Sequence, residues 1–337
     1  MKNAADQTRT TALLPTRRKL LGAAALGVMV PLSRPGMAQG SWRPTRPVRV
    51  VVPFPPGGAT DMLARLISQK ASDRLGQTMV IENRPGGSGV VATMNLLNSP
   101  PDGHSIMMAT VDTHTVLPAA RKSLPYRVQD FVPITGVANV VFACVARPGL
   151  DVTNLAELVA KAKAANPPLT YASYGVASAS HVAGEMFKAA TGTEMLHVPY
   201  QGAGPGVMAI TADEVDMMMV PVAVAQPQRA RLRMLGVASS QRFDMVPEVP
   251  TLAEQGVPLN AHAWIGLLAA PRTPRGIAES INAAVSEVIS TPEFQEALRT
   301  NGFSYQGYGP ERFAAYLKDE AERWGAAVRA ASITVEG

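Results

Sequence analysis

Val48-Arg49-Val50-Val51-Val52 runs into Pro53-Phe54-Pro55-Pro56-Gly57-Gly58-Ala59-Thr60-Asp61, after which apolar residues recur as Met62, Leu63, Leu66, Ile67 and Leu75. A β-branched run, a Pro- and Gly-rich turn and a helical period predict a strand, a tight connection and a helix over residues 61–75. A helix starting at such a turn leaves its first amides unpaired and pointing one way, and its dipole adds partial positive charge there. No Cβ at Gly57 or Gly58 obstructs an approaching group. The loop is therefore suited to hold an anion such as a carboxylate on backbone N–H groups, without Arg or Lys. The alternative is a plain tight turn between strand and helix. No Gly-Lys-Ser/Thr follows, so it is not a Walker A loop, and there is no G-x-G-x-x-G fingerprint.

The N-terminus reads as an address. Thr16-Arg17-Arg18-Lys19-Leu20-Leu21 is a twin-arginine pattern, followed by an apolar run over residues 20–32 and by Gly36-Met37-Ala38, a small-x-small cleavage site. Residues 1–38 are expected to be a cleaved export signal of the twin-arginine type; the run is too short to span a bilayer. The expected location is the periplasm. No Cys stands near the cleavage site to carry a lipid. The chain has 31 Lys and Arg against 26 Asp and Glu, and six of the former and one of the latter lie in residues 1–38, leaving 25 of each beyond it. A neutral mature chain gives no case for nucleic acid or an anionic membrane as partner.

The one cysteine, Cys144, sits in an apolar strand pattern and is expected to be a buried, inert thiol. His104, His114, His181, His197 and His262 show no zinc-ligand spacing, so no metal and no cofactor is expected. Strand-like and helix-like segments alternate throughout, which predicts an α/β chain with mostly parallel sheets. Ser88, in a second glycine-rich loop, is placed to cap a helix over residues 90–97. A strand over residues 137–145 is long enough to cross between two lobes, and one over residues 234–238 crosses back. The last part, from residue 274, is expected to be helical. Two crossings describe a clamshell, with one lobe from residues 45–140 plus 239–337, the other from residues 141–238, and a cleft between them that closes by hinge motion.

Over nearly its whole mature length the chain resembles the substrate-binding proteins of tripartite tricarboxylate transporters, the Bug receptors. The resemblance rests on the first loop and on Glu82-Asn83-Arg84-Pro85-Gly86, Pro101-Asp102-Gly103 and Leu124-Pro125-Tyr126. It continues through Asp130-Phe131, Tyr171-Ala172-Ser173-Tyr174-Gly175, Ser180-His181-Val182-Ala183-Gly184-Glu185 and His197-Val198-Pro199-Tyr200-Gln201-Gly202. Pro247-Glu248-Val249-Pro250-Thr251 and Ala253-Glu254-Gln255-Gly256 complete it. It implies a type II periplasmic-binding-protein fold, capture of a small carboxylate, and delivery to membrane permease subunits or, alternatively, reporting to a periplasmic sensor protein. A monomer is the default.

The resemblance makes the first loop a carboxylate-binding loop, on the backbone of Gly57, Gly58 and Ala59 and the Thr60 hydroxyl. Asp61 beside a bound carboxylate would repel it, so Asp61 organises the loop or receives a donor from the opposite lobe. Phe54 walls the cleft or belongs to the core. The stretch from Ser173 to His181 resembles the family's other ligand loop, with Gly175 at its turn and Ser173, Ser178 and Ser180 as hydroxyl donors, one of them a helix cap. Ala177 stands where the family has a second glycine, and a positive φ there would be costly. His181 either donates to an anion or packs. Tyr200 and Gly202 lie in a third cleft loop, and Thr110 and His114 fall where the family lines its pocket. Val220 replaces a common acidic residue, which implies a ligand without an amine, or else plain core. No Gly-x-Ser-x-Gly elbow, paired-carboxylate motif or separated Ser–His pattern is present, so no catalysis is expected.

Overall fold

The computed structural model describes residues 42–335; the export signal expected over residues 1–38 lies outside them. The first run of elements is β1 (Val48–Val52), α1 (Ala59–Leu75), β2 (Met79–Asn83), α2 (Val90–Leu97), β3 (Ser105–Thr110), a π-helical turn Asp112–Val116, α3 (Leu117–Ala120) and β4 (Val132–Val140). A second run follows with β5 (Phe142–Ala146), α4 (Leu155–Ala164), β6 (Leu169–Ser173), α5 (Ala179–Thr191), β7 (Met195–Pro199), α6 (Ala203–Thr211), β8 (Met217–Pro221), α7 (Val222–Ala225) and β9 (Arg233–Val237). The chain then returns through β10 (Ala263–Ala269), α8 (Arg275–Ile289), α9 (Pro292–Thr300), β11 (Phe303–Tyr308) and α10 (Pro310–Ala330).

The strands form two sheets, in the orders β11-β4-β10-β3-β1-β2 and β7-β6-β8-β5-β9. The molecule is thus a two-lobed α/β protein. Val48, Val50, Val51 and Val52 are almost wholly buried because β1 lies between β2 and β3 with helices over both faces. β4 and β5 meet at Val141, so the expected single crossing strand is two strands, one in each sheet.

The sheets are mixed, which corrects the expectation of mostly parallel pairing. β1, β2 and β3 are parallel, as are β6, β7 and β8, but β10 and β11 run antiparallel to β4 and β5 runs antiparallel to β8 and β9. The reason lies in the chain path. β5 follows the first crossing and β10 follows the return of the chain to the first lobe, and both start at the cleft, where the βα units end. β11 also corrects the reading of an all-helical C-terminal part. Phe303-Ser304-Tyr305-Gln306 alternates apolar and polar between Gly302 and Gly309, and it pairs with β4 as an edge strand. Ser88 does not cap α2. Gly89 occupies the cap position, and the Ser88 hydroxyl instead donates to the carbonyl oxygen of Val176, 2.9 Å away in the other lobe.

Cys144 is fully buried in β5, and burial pushes its thiol up to about 12, so it is inert at neutral pH. Among the described residues no helix is long and apolar enough to cross a membrane, and no group of three His, Cys, Asp or Glu is placed to hold a metal ion.

Candidate functional site

The strand ends of the two sheets converge on a cavity of about 50 Å³. That is room for about three to five waters at the ~10–15 Å³ each requires, less than a small organic ligand fills. The first lobe contributes Phe54, Gly58, Ala59 and Thr60 from the start of α1, Thr110, Val111 and Asp112 after β3, Val140, and Ala263, Trp264 and Ile265 of β10. The second contributes Phe142, Tyr174, Ala203 and Pro221. Among the described residues no Lys or Arg borders the cavity.

α1 starts at Gly58, which is its N-cap and supplies no side chain to satisfy the first amides. Gly58, Ala59 and Thr60 all border the cavity. Gly57 does not. Its N–H donates to Asp61 Oδ2 at 3.0 Å, and its φ of +84° lies in the left-handed region that a glycine adopts without strain. Asp61 also accepts from Arg65 Nε and Nη2 at 2.9 and 3.0 Å and from Asn83 Nδ2 at 3.0 Å. Burial works against its charge, but the hydrogen bonds from Arg65, Gly57 and Asn83 outweigh it and hold the carboxyl below its ordinary range. All three partners lie in the first lobe, so Asp61 braces the loop on which the α1 amides stand.

The second-lobe loop is held from behind. Ser173 Oγ lies 2.7 Å from His197 Nε2 and 3.0 Å from the carbonyl oxygen of Gly175, and it accepts from the Gly175 amide at 3.2 Å. Ser178 caps α5 by accepting from the His181 amide at 3.2 Å, and the Ser180 hydroxyl donates to the carbonyl oxygen of Met219. The three serine hydroxyls are thus committed within the protein. The His181 ring stacks on His197 with centroids 3.8 Å apart and planes 6° apart, and its Nδ1 accepts from the Ala177 amide at 3.1 Å. It is not among the residues that line the cavity. Burial lowers the pKa of His181, and burial followed by the neighbouring His181 lowers that of His197 to about 4, so both rings are neutral at pH 7. Ala177 does take the left-handed conformation, with φ +53°, at a place where it is fully buried.

The remaining candidates divide between the cavity and the core. Thr110 borders the cavity. His114 lies in the first lobe's interior, its Nδ1 2.7 Å from Thr113 Oγ1 and its ring edge-on to Phe131 at 5.2 Å, and burial pushes its pKa down to about 3. The Tyr200 backbone N–H donates a hydrogen bond of 2.8 Å to the Ser173 carbonyl oxygen and so straps its loop to β6. Gly202 has φ +121° and packs beside Pro55, where an added Cβ would sit 3.5 Å from the proline ring. Val220 is buried in β8 opposite Ala143, one residue before Pro221 on the cavity wall. Phe54 meets Tyr174 edge-to-face across the cleft at 6.0 Å.

Asp112 was not singled out in the sequence, although it stands between Thr110 and His114 at the cleft end of β3. It is 4% exposed. Its Oδ1 accepts from the Ala179 amide, the first of α5, at 2.6 Å across the cleft. Its Oδ2 lies 3.3 Å from Thr110 Oγ1 and 3.5 Å from the Tyr174 hydroxyl. Burial pushes its pKa up to about 6, against the hydrogen bonds from Ala179, Tyr174 and Thr110. Trp264 and Pro221 were also missed, because only the strand order brings them to the cavity.

Residues 63–333 match the model of the tripartite tricarboxylate transporter family receptor. The chain belongs to this family. This receptor is 36% identical over 317 residues to a protein encoded in the tcbD-tcbE intergenic region of Pseudomonas sp. (strain P51), which covers 91% of the chain and 92% of the relative. It is similar to R. palustris Rpa4515 with adipate, at 31% identity and a TM-score of 0.82, covering 86% of this chain and 99% of that one. It is likewise similar to MatC of Rhodopseudomonas palustris with bound malate, at 30% identity and a TM-score of 0.78, covering 85% and 99%. The family and fold are those of solute-binding receptors.

Proposed function

We propose that this receptor captures a small carboxylate in the interlobe cavity, in the periplasm, and hands it to the membrane subunits of a tripartite tricarboxylate-type transporter. The observation that carries this reading is the uncapped start of α1. Gly58, Ala59 and Thr60 border a cavity with no Lys or Arg among its described lining residues, and their amides with the helix dipole suit a carboxylate. Trp264, whose buried indole N–H has no acceptor among the described residues, borders the same space and offers a further neutral donor. The adipate and malate bound by the two similar receptors are acids of the same class. Residues 45–140 with 239–337, and residues 141–238, are the bodies that part and close, and export follows the twin-arginine route.

The test is a calorimetric and thermal-shift screen of the chain from residue 39 onward against mono-, di- and tricarboxylates and amino acids. A bound acid raises stability by about 2.7 kcal/mol at 100 times its Kd. The reading expects saturable binding of at least one acid. No heat and no shift with any acid would refute it.

A further inference from the structure

The two helix N-termini that face each other across the cleft are not equivalent. That of α1 is uncapped and open to the cavity. That of α5 already holds a carboxylate from the opposite lobe, because Asp112 Oδ1 sits 2.6 Å from the Ala179 amide. The other oxygen of Asp112 is turned to the hydroxyls of Thr110 and Tyr174, and no Lys or Arg pairs with it. Building on the carboxylate reading of the α1 loop, we infer that Asp112 occupies the second anion position of the cleft and so restricts this receptor to acids with a single carboxylate and an apolar remainder.

The geometry supports this in two ways. First, a diacid bridging the two helices would have to place its second carboxylate where Asp112 stands. In a cavity without cations, two carboxylates in contact repel, and one must leave or take a proton. Second, apart from the α1 amides, Thr110, Tyr174 and the Trp264 indole N–H, the cavity wall is apolar: Phe54, Val140, Phe142, Pro221 and Ile265 supply walls for a hydrocarbon chain or ring and no cation for a second anion. Asp112 is thus a specificity determinant by exclusion. It leaves the α1 amides free for one carboxylate and turns the other end of the cleft into an apolar pocket floored by a buried charge.

The experiment compares acids that differ by one carboxylate, hexanoate against adipate and benzoate against terephthalate, by calorimetry at pH 8 with the chain from residue 39 onward. The protein is expected to favour the monoacid of the binding pair by roughly tenfold or more, the scale of a like-charge contact at an effective protein dielectric. Asp112→Ala frees the Ala179 amide and is expected to reverse the preference. Asp112→Asn keeps the hydrogen bond to Ala179 without the charge, guards against a folding defect in the alanine variant, and is expected to erase most of the discrimination. If the unaltered protein prefers the diacid, or if the preference is the same in all three proteins, the assignment of Asp112 is wrong while the carboxylate reading stands. If no acid of either kind binds any of the three, the carboxylate reading falls and this inference with it.

Discussion

Gly57 and Gly58 are neighbours with opposite demands. An added Cβ at Gly58 would meet only the Pro55 carbonyl oxygen, at an ordinary 3.7 Å, and its φ of −79° suits any residue. Gly57 has open space around it but a φ of +84°. Gly58→Ala is therefore expected to leave stability within about 0.5 kcal/mol, as surface changes without strain do, while the methyl group crowds a carboxylate on the amides behind it. An affinity loss of roughly tenfold or more with an unchanged melting temperature is the expected result from calorimetry and thermal melts. Gly57→Ala is expected to cost about 1–2 kcal/mol of stability from the left-handed backbone. The sequence made the position of the loop legible because a β-branched run, two glycines and a helical period follow one another in a single stretch. It did not make Asp112 legible, because an acid after a strand looks the same whether its oxygens meet water or a helix in another lobe.

At the scale of elements, the start of α5 rests on a stack of rings. Tyr171, His181 and His197 form a cluster of rings with near-parallel planes, the first two with centroids 4.9 and 3.8 Å from His197 and 6.3 Å from each other. His197 also meets Ser173, the residue from which the second-lobe loop departs. Its folded pKa, about 4, lies below the ordinary 6.5. The unfolded chain therefore binds the proton more readily between these values, so stability falls as pH drops from about 6.5 through 4. Discounted for partial exposure, the loss is about 1–2 kcal/mol. His197→Phe keeps the stacking and removes the titration. It is expected to cost about 1 kcal/mol at pH 7 through the lost hydrogen bond and to flatten the decline in melting temperature between pH 7 and pH 4. An equal decline in both proteins would contradict this. The helix and strand pattern was readable here from 3.6 and 2.0 periods, and a serine cap for α5 was expected among Ser173, Ser178 and Ser180, of which Ser178 takes the position. The ring stack was not, because Tyr171, His181 and His197 come from three separate elements. β11 was readable from its alternation but was hidden by the strong helical patterns on either side.

The whole molecule is two mixed sheets joined at Val141 and after β9, and the lobes are in contact through few polar bonds. Asp112 to Ala179 is one and the Ser88 hydroxyl to the Val176 carbonyl oxygen is another. Ser88 is outside the cavity and half-exposed, so removing its hydroxyl disturbs closure without touching the ligand. Ser88→Ala is expected to weaken the closed form by about 0.5–1 kcal/mol and so to speed ligand dissociation roughly two- to fivefold, followed by stopped-flow tryptophan fluorescence. An unchanged rate would show that this bond does not hold the lobes together. The clamshell was legible in the sequence from its two crossings. The direction of each strand was not, because periodicity carries no sense of direction.

The strand order has a consequence for how the protein is made. All five strands of the second sheet lie between Phe142 and Val237, whereas β10, which stands between β3 and β4 in the first sheet, begins only at Ala263. A ribosome therefore delivers the whole second sheet while the first still has a gap at its centre. In that interval β3 and β4 present open edges that can pair with another chain. The lobe that appears first in the polypeptide is the one completed last, and it is sealed only when β10 and then β11 emerge.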